Sequence, residues 1–148
     1  MLFFFAIGYA NAQNFDIRIL NADSSYKQGD SASVFVFVKL LNPELEFDKA
    51  VVFLNVVEID KARKYPQAAH KIFASASIDH NIFKTVYSKK QLESGVAANI
   101  NYSFKNGAKP AKYAIVIQVF EGTNTDPHRL RGKHRLAMKA HNFELTAK

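Results

Sequence analysis

Between residues 128 and 135 the chain reads His-Arg-Leu-Arg-Gly-Lys-His-Arg, so Arg129, Arg131, Lys133 and Arg135 put four cations within seven residues, flanked by His128 and His134. A guanidinium grips two oxygens of a sulfate, phosphate or carboxylate at once, and a lysine adds a compact point charge. The cluster therefore suits an acidic glycan, another anionic surface or an acidic protein. The competing use of the same charges is internal: Glu44, Glu46 and Asp48 can serve as counter-ions if the fold brings them alongside, and exposed pairs of that kind gain little. A second basic group, Lys61, Arg63, Lys64, Lys105, Lys109 and Lys112, reads chiefly as a solvated rim, because lysine is the usual surface cation. Tyr65 sits among these residues and is a candidate aromatic contact.

Patterns that would support catalysis are missing. Ser, His and Asp all occur, but there is no G-x-S-x-G elbow, and with no cysteine a thiolate nucleophile is excluded. Gly107 and Gly132 stand alone, so no phosphate-cradling loop can be drawn. The histidines at 70, 80, 128, 134 and 141 form no H-x-x-x-H pair, and only His128, His134 and His141 have the chance to converge. The expectation is a non-catalytic protein with neither metal nor cofactor. Asn101-Tyr102-Ser103 is a glycosylation acceptor tripeptide, relevant only in a eukaryotic secretory context.

A net charge of +7 favours anionic partners of any kind. The N-terminus narrows them. Residues 2 to 10 are an apolar run too short to span a bilayer, and Ala10-Asn11-Ala12 follows as a small-x-small cleavage site. This is the pattern of a signal peptide over residues 1 to 12, with the mature chain starting at Gln13. No Lys or Arg precedes the run, a departure that a start inside a longer leader would explain. Export to the periplasm, the cell surface or the medium disfavours nucleic acid as a partner.

Whatever binds at these residues must be held by strands. Phenylalanine is abundant, with 13 copies against no tryptophan, and many stand among Val and Ile, residues that suit a pleated surface. Alternation of apolar and polar residues marks strands at 15 to 20, 31 to 41, 96 to 104 and 112 to 121. An apolar stretch at 50 to 58 reads as the centre of a sheet. Weaker strands are expected at 72 to 78 and 82 to 87, and a last one at 135 to 146 with a bulge between Met138 and Phe143. Asn21 to Asp30 reads as a connection, and 89 to 94 as one helical turn. The even residues Ala32 to Leu40 should be core, which puts Phe35 and Phe37 on the opposite face as a candidate aromatic contact.

Two local patterns sharpen the fold. Tyr26-Lys-Gln-Gly-Asp30 ahead of a Val-rich strand resembles the start of strand B in many bacterial immunoglobulin-like and macroglobulin-like domains. Lys112-Tyr113-Ala-Ile-Val-Ile is similar to the opening of strand F, where a tyrosine bonds back to the preceding corner. The resemblance implies an all-β, immunoglobulin-like antiparallel sandwich of seven to eight strands formed by residues 13 to 148. The function expected is an exported binding or assembly module that contacts a protein or an anionic polymer through loops at one end. The alternative is a subunit of a surface structure, a homo-oligomer or other assembly joined by strand addition. A carbohydrate-active or hydrolytic domain is the third reading.

Overall fold

In the computed structural model, residues 14–59, 78–79, 83–104, 106–126, 129 and 134–148 are described. The N-terminal segment, the strand expected at 72 to 78 apart from its last residue, Tyr65, Lys61, Arg63, Lys64 and Lys105 lie outside them. The described residues form β1 (Phe15–Leu20), β2 (Ser25–Lys27), β3 (Ser31–Leu40), β4 (Lys49–Glu58), β5 (Ile78–Asp79), β6 (Phe83–Ser88), the helix α1 (Lys89–Ser94), β7 (Val96–Phe104), β8 (Ala111–Glu121) and β9 (Arg135–Thr146). One sheet has the order β1-β3-β7-β5 and the other β2-β9-β8-β4-β6.

The alternation that marks the strands is the alternation that fills the core. Ala32, Val34, Val36, Val38 and Leu40 point inward from β3, Ile100, Tyr102 and Phe104 from β7, and Tyr113, Ile115, Ile117 and Val119 from β8, all buried. β4 is buried on both faces: Val52, Leu54 and Val56 meet the core, while Val51 and Phe53 pack with Phe120 in a second cluster on the outer side. The apolar run at 50 to 58 thus belongs to a strand flanked by β6 and β8.

The segment Asn21 to Asp30, expected as a plain connection, contains β2, which pairs in parallel with the end of β9 from Ser25↔Glu144 to Lys27↔Thr146. Three residues are too few to show periodicity. Tyr26 anchors them, buried with its hydroxyl accepting from the Asp23 amide at 2.8 Å. The next turn explains the remaining letters of the Tyr-x-x-Gly-Asp pattern. Gly29 has φ 86°, a left-handed conformation that a side chain disfavours, and the Asp30 carboxylate accepts from the Lys27 amide at 2.8 Å.

A second expectation needs correction. β9 is paired with β8 without interruption from Ala137 to Leu145, and the irregularity falls instead at Val119/Phe120, where Leu136 is the extra residue. What broke the sequence pattern is chemistry, not register. Lys139 and His141 oppose Ile117 and Ile115, so they share the core-side face with Ala137, Phe143 and Leu145, yet β9 has no further neighbour there and both reach the open edge.

The helical turn is present, closed by a reciprocal capping box in which Ser88 accepts from the Gln91 amide and the Gln91 side chain accepts from the Ser88 amide. Gly95, with φ 91°, follows it. A Cβ there would stand 3.0 Å from the Phe37 ring.

Two tyrosines make opposite use of their hydroxyls. Tyr113 donates to the Lys109 carbonyl at 2.7 Å, the tyrosine corner that the sequence pattern suggested. The Tyr102 hydroxyl is buried without a hydrogen-bond partner among the described residues, and burial, with Tyr26 nearby, pushes its pKa well above the usual value near 10. Tyr113→Phe should lower stability by about 1 to 2 kcal/mol, whereas Tyr102→Phe should raise it by about 1 kcal/mol by removing an unpaired polar group. In urea unfolding, a Tyr102→Phe loss above about 0.5 kcal/mol would show that the hydroxyl is bonded. A raised tyrosine pKa favours the protonated folded form, so its stabilising contribution is complete below the unfolded pKa. It is lost as pH climbs above about 10, less steeply in Tyr102→Phe.

Candidate functional site

The candidate loops meet at one end of the sandwich because their strands do. Ala50 at the start of β4 pairs with Glu121 at the end of β8, and the Gly122 amide donates to the Lys49 carbonyl at 2.8 Å. The 41–48 loop and the stretch leading from β8 to β9 therefore emerge side by side. The former is anchored by its apolar residues: Phe47 packs on Phe15 with ring centres 6.3 Å apart, and the Lys89 ammonium lies 5.7 Å from the centre of the Phe47 ring.

Of the basic cluster, Arg129, His134 and Arg135 are described, whereas His128, Arg131 and Lys133 lie outside the described residues. Arg129 has its side chain 79% exposed and meets Asp126 of its own loop at 3.5 Å. Arg135 is exposed and turned onto the outer side of the sheet, within 3.5 Å of the Gln118 side-chain oxygen. Among the described residues no ion pair joins Glu44, Glu46 or Asp48 to Arg129, His134 or Arg135, and all three carboxylates are exposed. His134 precedes β9, whereas His141 lies well within it, and His141 Nε2 meets the Asp23 carbonyl at 3.0 Å. No group of metal-ligating side chains occurs among the described residues.

At the opposite end, Lys109 and Lys112 line a broad cleft of about 880 Å³ with Ser24, Asn142 and Glu144. Lys109 is occupied by the buried carboxylate of Glu58 at 2.9 Å, so part of this second basic group holds the fold together.

Phe35 and Phe37 are half-buried on the outer face of β3. Phe37 is covered by the Gly95 turn on one side, and the Arg18 guanidinium lies 5.6 Å from its ring centre. Phe35 lies in the row Leu20–Phe35–Asn99, beside Leu20, which is 46% exposed.

Sequence reasoning missed the other exposed apolar positions. Leu41 and Met138, 49% and 51% exposed, border a groove of about 330 Å³ with Phe15, Ile17, Asp16 and Lys139. The groove runs between β1, the edge of one sheet, and the unpaired part of β9, the edge of the other. Nothing in the local sequence marks it, because it is created by which strands end up without neighbours.

β1, β3 and β7 on one side and β4, β8 and β9 on the other correspond to strands A, B, E and C, F, G of an immunoglobulin-like β-sandwich, and that is the class of this domain. No protein-family model and no curated protein matches the chain. Solved structures do. AvmM, which catalyses macrocyclization in alchivemycin A biosynthesis, is 9% identical over 90% of this chain and 89% of its own, with a TM-score of 0.52. The CARDB domain of the PF1109 protein from Pyrococcus furiosus, solved in complex with di-metal ions, is 10% identical over 91% of this chain and 93% of its own, with a TM-score of 0.49. A chain of the complex between zinc 2-glycoprotein and prolactin inducible protein from human seminal plasma is 12% identical over 89% and 93%, with a TM-score of 0.46. At such identities the likeness is one of fold alone. No helix among the described residues is long and apolar enough to cross a membrane.

Proposed function

We propose that the chain is an exported, non-catalytic binding module that contacts an acidic protein or anionic polymer through the basic loop between β8 and β9. The observation that carries this reading is the exposure of Arg129 and Arg135, to which, among the described residues, no ion pair runs from Glu44, Glu46 or Asp48. Clustered surface charges steer an oppositely charged partner over distances set by the ionic strength. The apolar run and Ala10-Asn11-Ala12 support export, and the intact mass of exported protein should correspond to a chain starting at Gln13.

Heparin, a sulfated polyanion, is the probe. Converting Arg129, Arg131, Lys133 and Arg135 together to Ala should shift elution from a heparin column to markedly lower salt with little change in unfolding midpoint. The control converts Lys61, Arg63, Lys64 and Lys105. Equal elution of wild type and loop variant, with early elution of the control, would move the binding surface to the opposite pole.

A further inference from the structure

The floor of the groove between β1 and β9 belongs to the core. Phe15 and Ile17 of β1 and Ala137 of β9 line it, all three buried, while Leu41 and Met138 stand half-exposed at its border. The floor is fixed in advance: Phe15 packs on Phe47, and Ile17 is held in the ladder opposite Val38. Such a trough leaves apolar surface wet at its rim, and an apolar group lying along it would release that water.

The charges along the groove are not balanced. Among the described residues Asp16 and Lys139 line it. Asp16 is already engaged, its carboxylate meeting the Arg18 guanidinium at 2.9 Å. Lys139 makes no ion pair among the described residues. It stands opposite Ile117 in the ladder, on the face of β9 that carries Ala137, Phe143 and Leu145 into the core. A lysine has an apolar stem and a compact charge at its tip. Beside an apolar trough, that free cation selects a ligand with an alkyl body and one anionic end. Size narrows the ligand further. The volume of about 330 Å³ is near the lower end of small-molecule sites, roughly 300 to 1,000 Å³, and suits one alkyl chain rather than a two-chain lipid.

We propose that the β1/β9 groove binds a free medium-chain fatty acid, with the alkyl chain over Phe15, Ile17 and Ala137 and the carboxylate at Lys139. This goes beyond the basic-loop reading and stands without it, since Arg129, His134 and Arg135 do not line the groove.

Equilibrium dialysis of the exported protein against octanoate, decanoate and dodecanoate, each below its micelle-forming concentration, tests it. Each pair of added methylene groups should tighten binding about tenfold while the groove still has room. Decanol and decyltrimethylammonium should bind more weakly than decanoate. Lys139→Gln should weaken decanoate about fivefold and leave decanol unchanged, whereas Lys139→Arg should keep decanoate binding. Leu41→Asp should weaken decanoate and decanol alike. Both positions are exposed, so unfolding midpoints should stay close to wild type. The fourfold loop variant used on heparin should bind decanoate as wild type does, which separates the two sites. Absence of saturable decanoate binding at millimolar concentration would overturn the proposal. So would decanol binding as tightly as decanoate, or a Lys139→Gln variant with undiminished decanoate affinity.

Discussion

Phe104→Ala should cost about 3 to 5 kcal/mol of stability, among the largest single losses available in this domain. Phe104 is buried, with ring centres 5.0 Å from Tyr26, 5.3 Å from Tyr102 and 5.6 Å from Phe143. Those partners come from β2, β7 and β9, so the ring sits between the two sheets, where β2 joins β9. Truncation leaves a cavity beside three aromatic rings that cannot close it, and the cost grows with the volume left empty. Its backbone also closes the turn before β3, accepting from Gly29 at 2.7 Å and donating to Asp30 at 2.8 Å, and those bonds survive the substitution. Chemical unfolding read by circular dichroism checks the prediction. A loss below about 1 kcal/mol would mean that the aromatic cluster is loosely packed.

Ile117→Ala should cost about 2 to 5 kcal/mol, through a different part of the core. Ile117 lies in the middle of β8, fully buried, between Leu54 of β4 and Lys139 of β9 in the ladder. The side chain is aliphatic, so the loss should reflect methylene burial and the cavity. The two sites lie on opposite sheets with different neighbours, and the double variant should come close to the sum of the singles. Urea unfolding gives both values. A loss under about 0.5 kcal/mol for Ile117→Ala would place the residue at the surface.

The sequence made the core strands readable because burial imposes a period of two, and Ile100, Tyr102, Ile115 and Ile117 follow it without exception. Tyr113 was readable because a corner tyrosine must begin strand F. β2 was not, since its pairing partner lies 119 residues away at Ser25↔Glu144 and its own three residues carry no pattern. The displaced bulge shows the same limit from the other side: Lys139 and His141 looked out of phase because a core-side position at an open edge tolerates polar residues, and edges are defined by neighbours. The charge content of the basic loop could be read directly. Whether Glu44, Glu46 and Asp48 would reach it could not, because that depends on where Phe47 and Lys89 anchor their loop.

The pairing of β2 with β9 also has a consequence in time. The chain's second strand finds its partner in Glu144 to Thr146, and the aromatic cluster around Tyr26 waits for Phe143. As the polypeptide emerges from the ribosome, the early hairpin of β1 and β3 can form, but the sandwich cannot close until residues 143 to 146 have been made. Distant pairings of this kind slow folding. The same delay keeps the nascent chain open during synthesis, the condition in which a polypeptide can be threaded through a narrow channel.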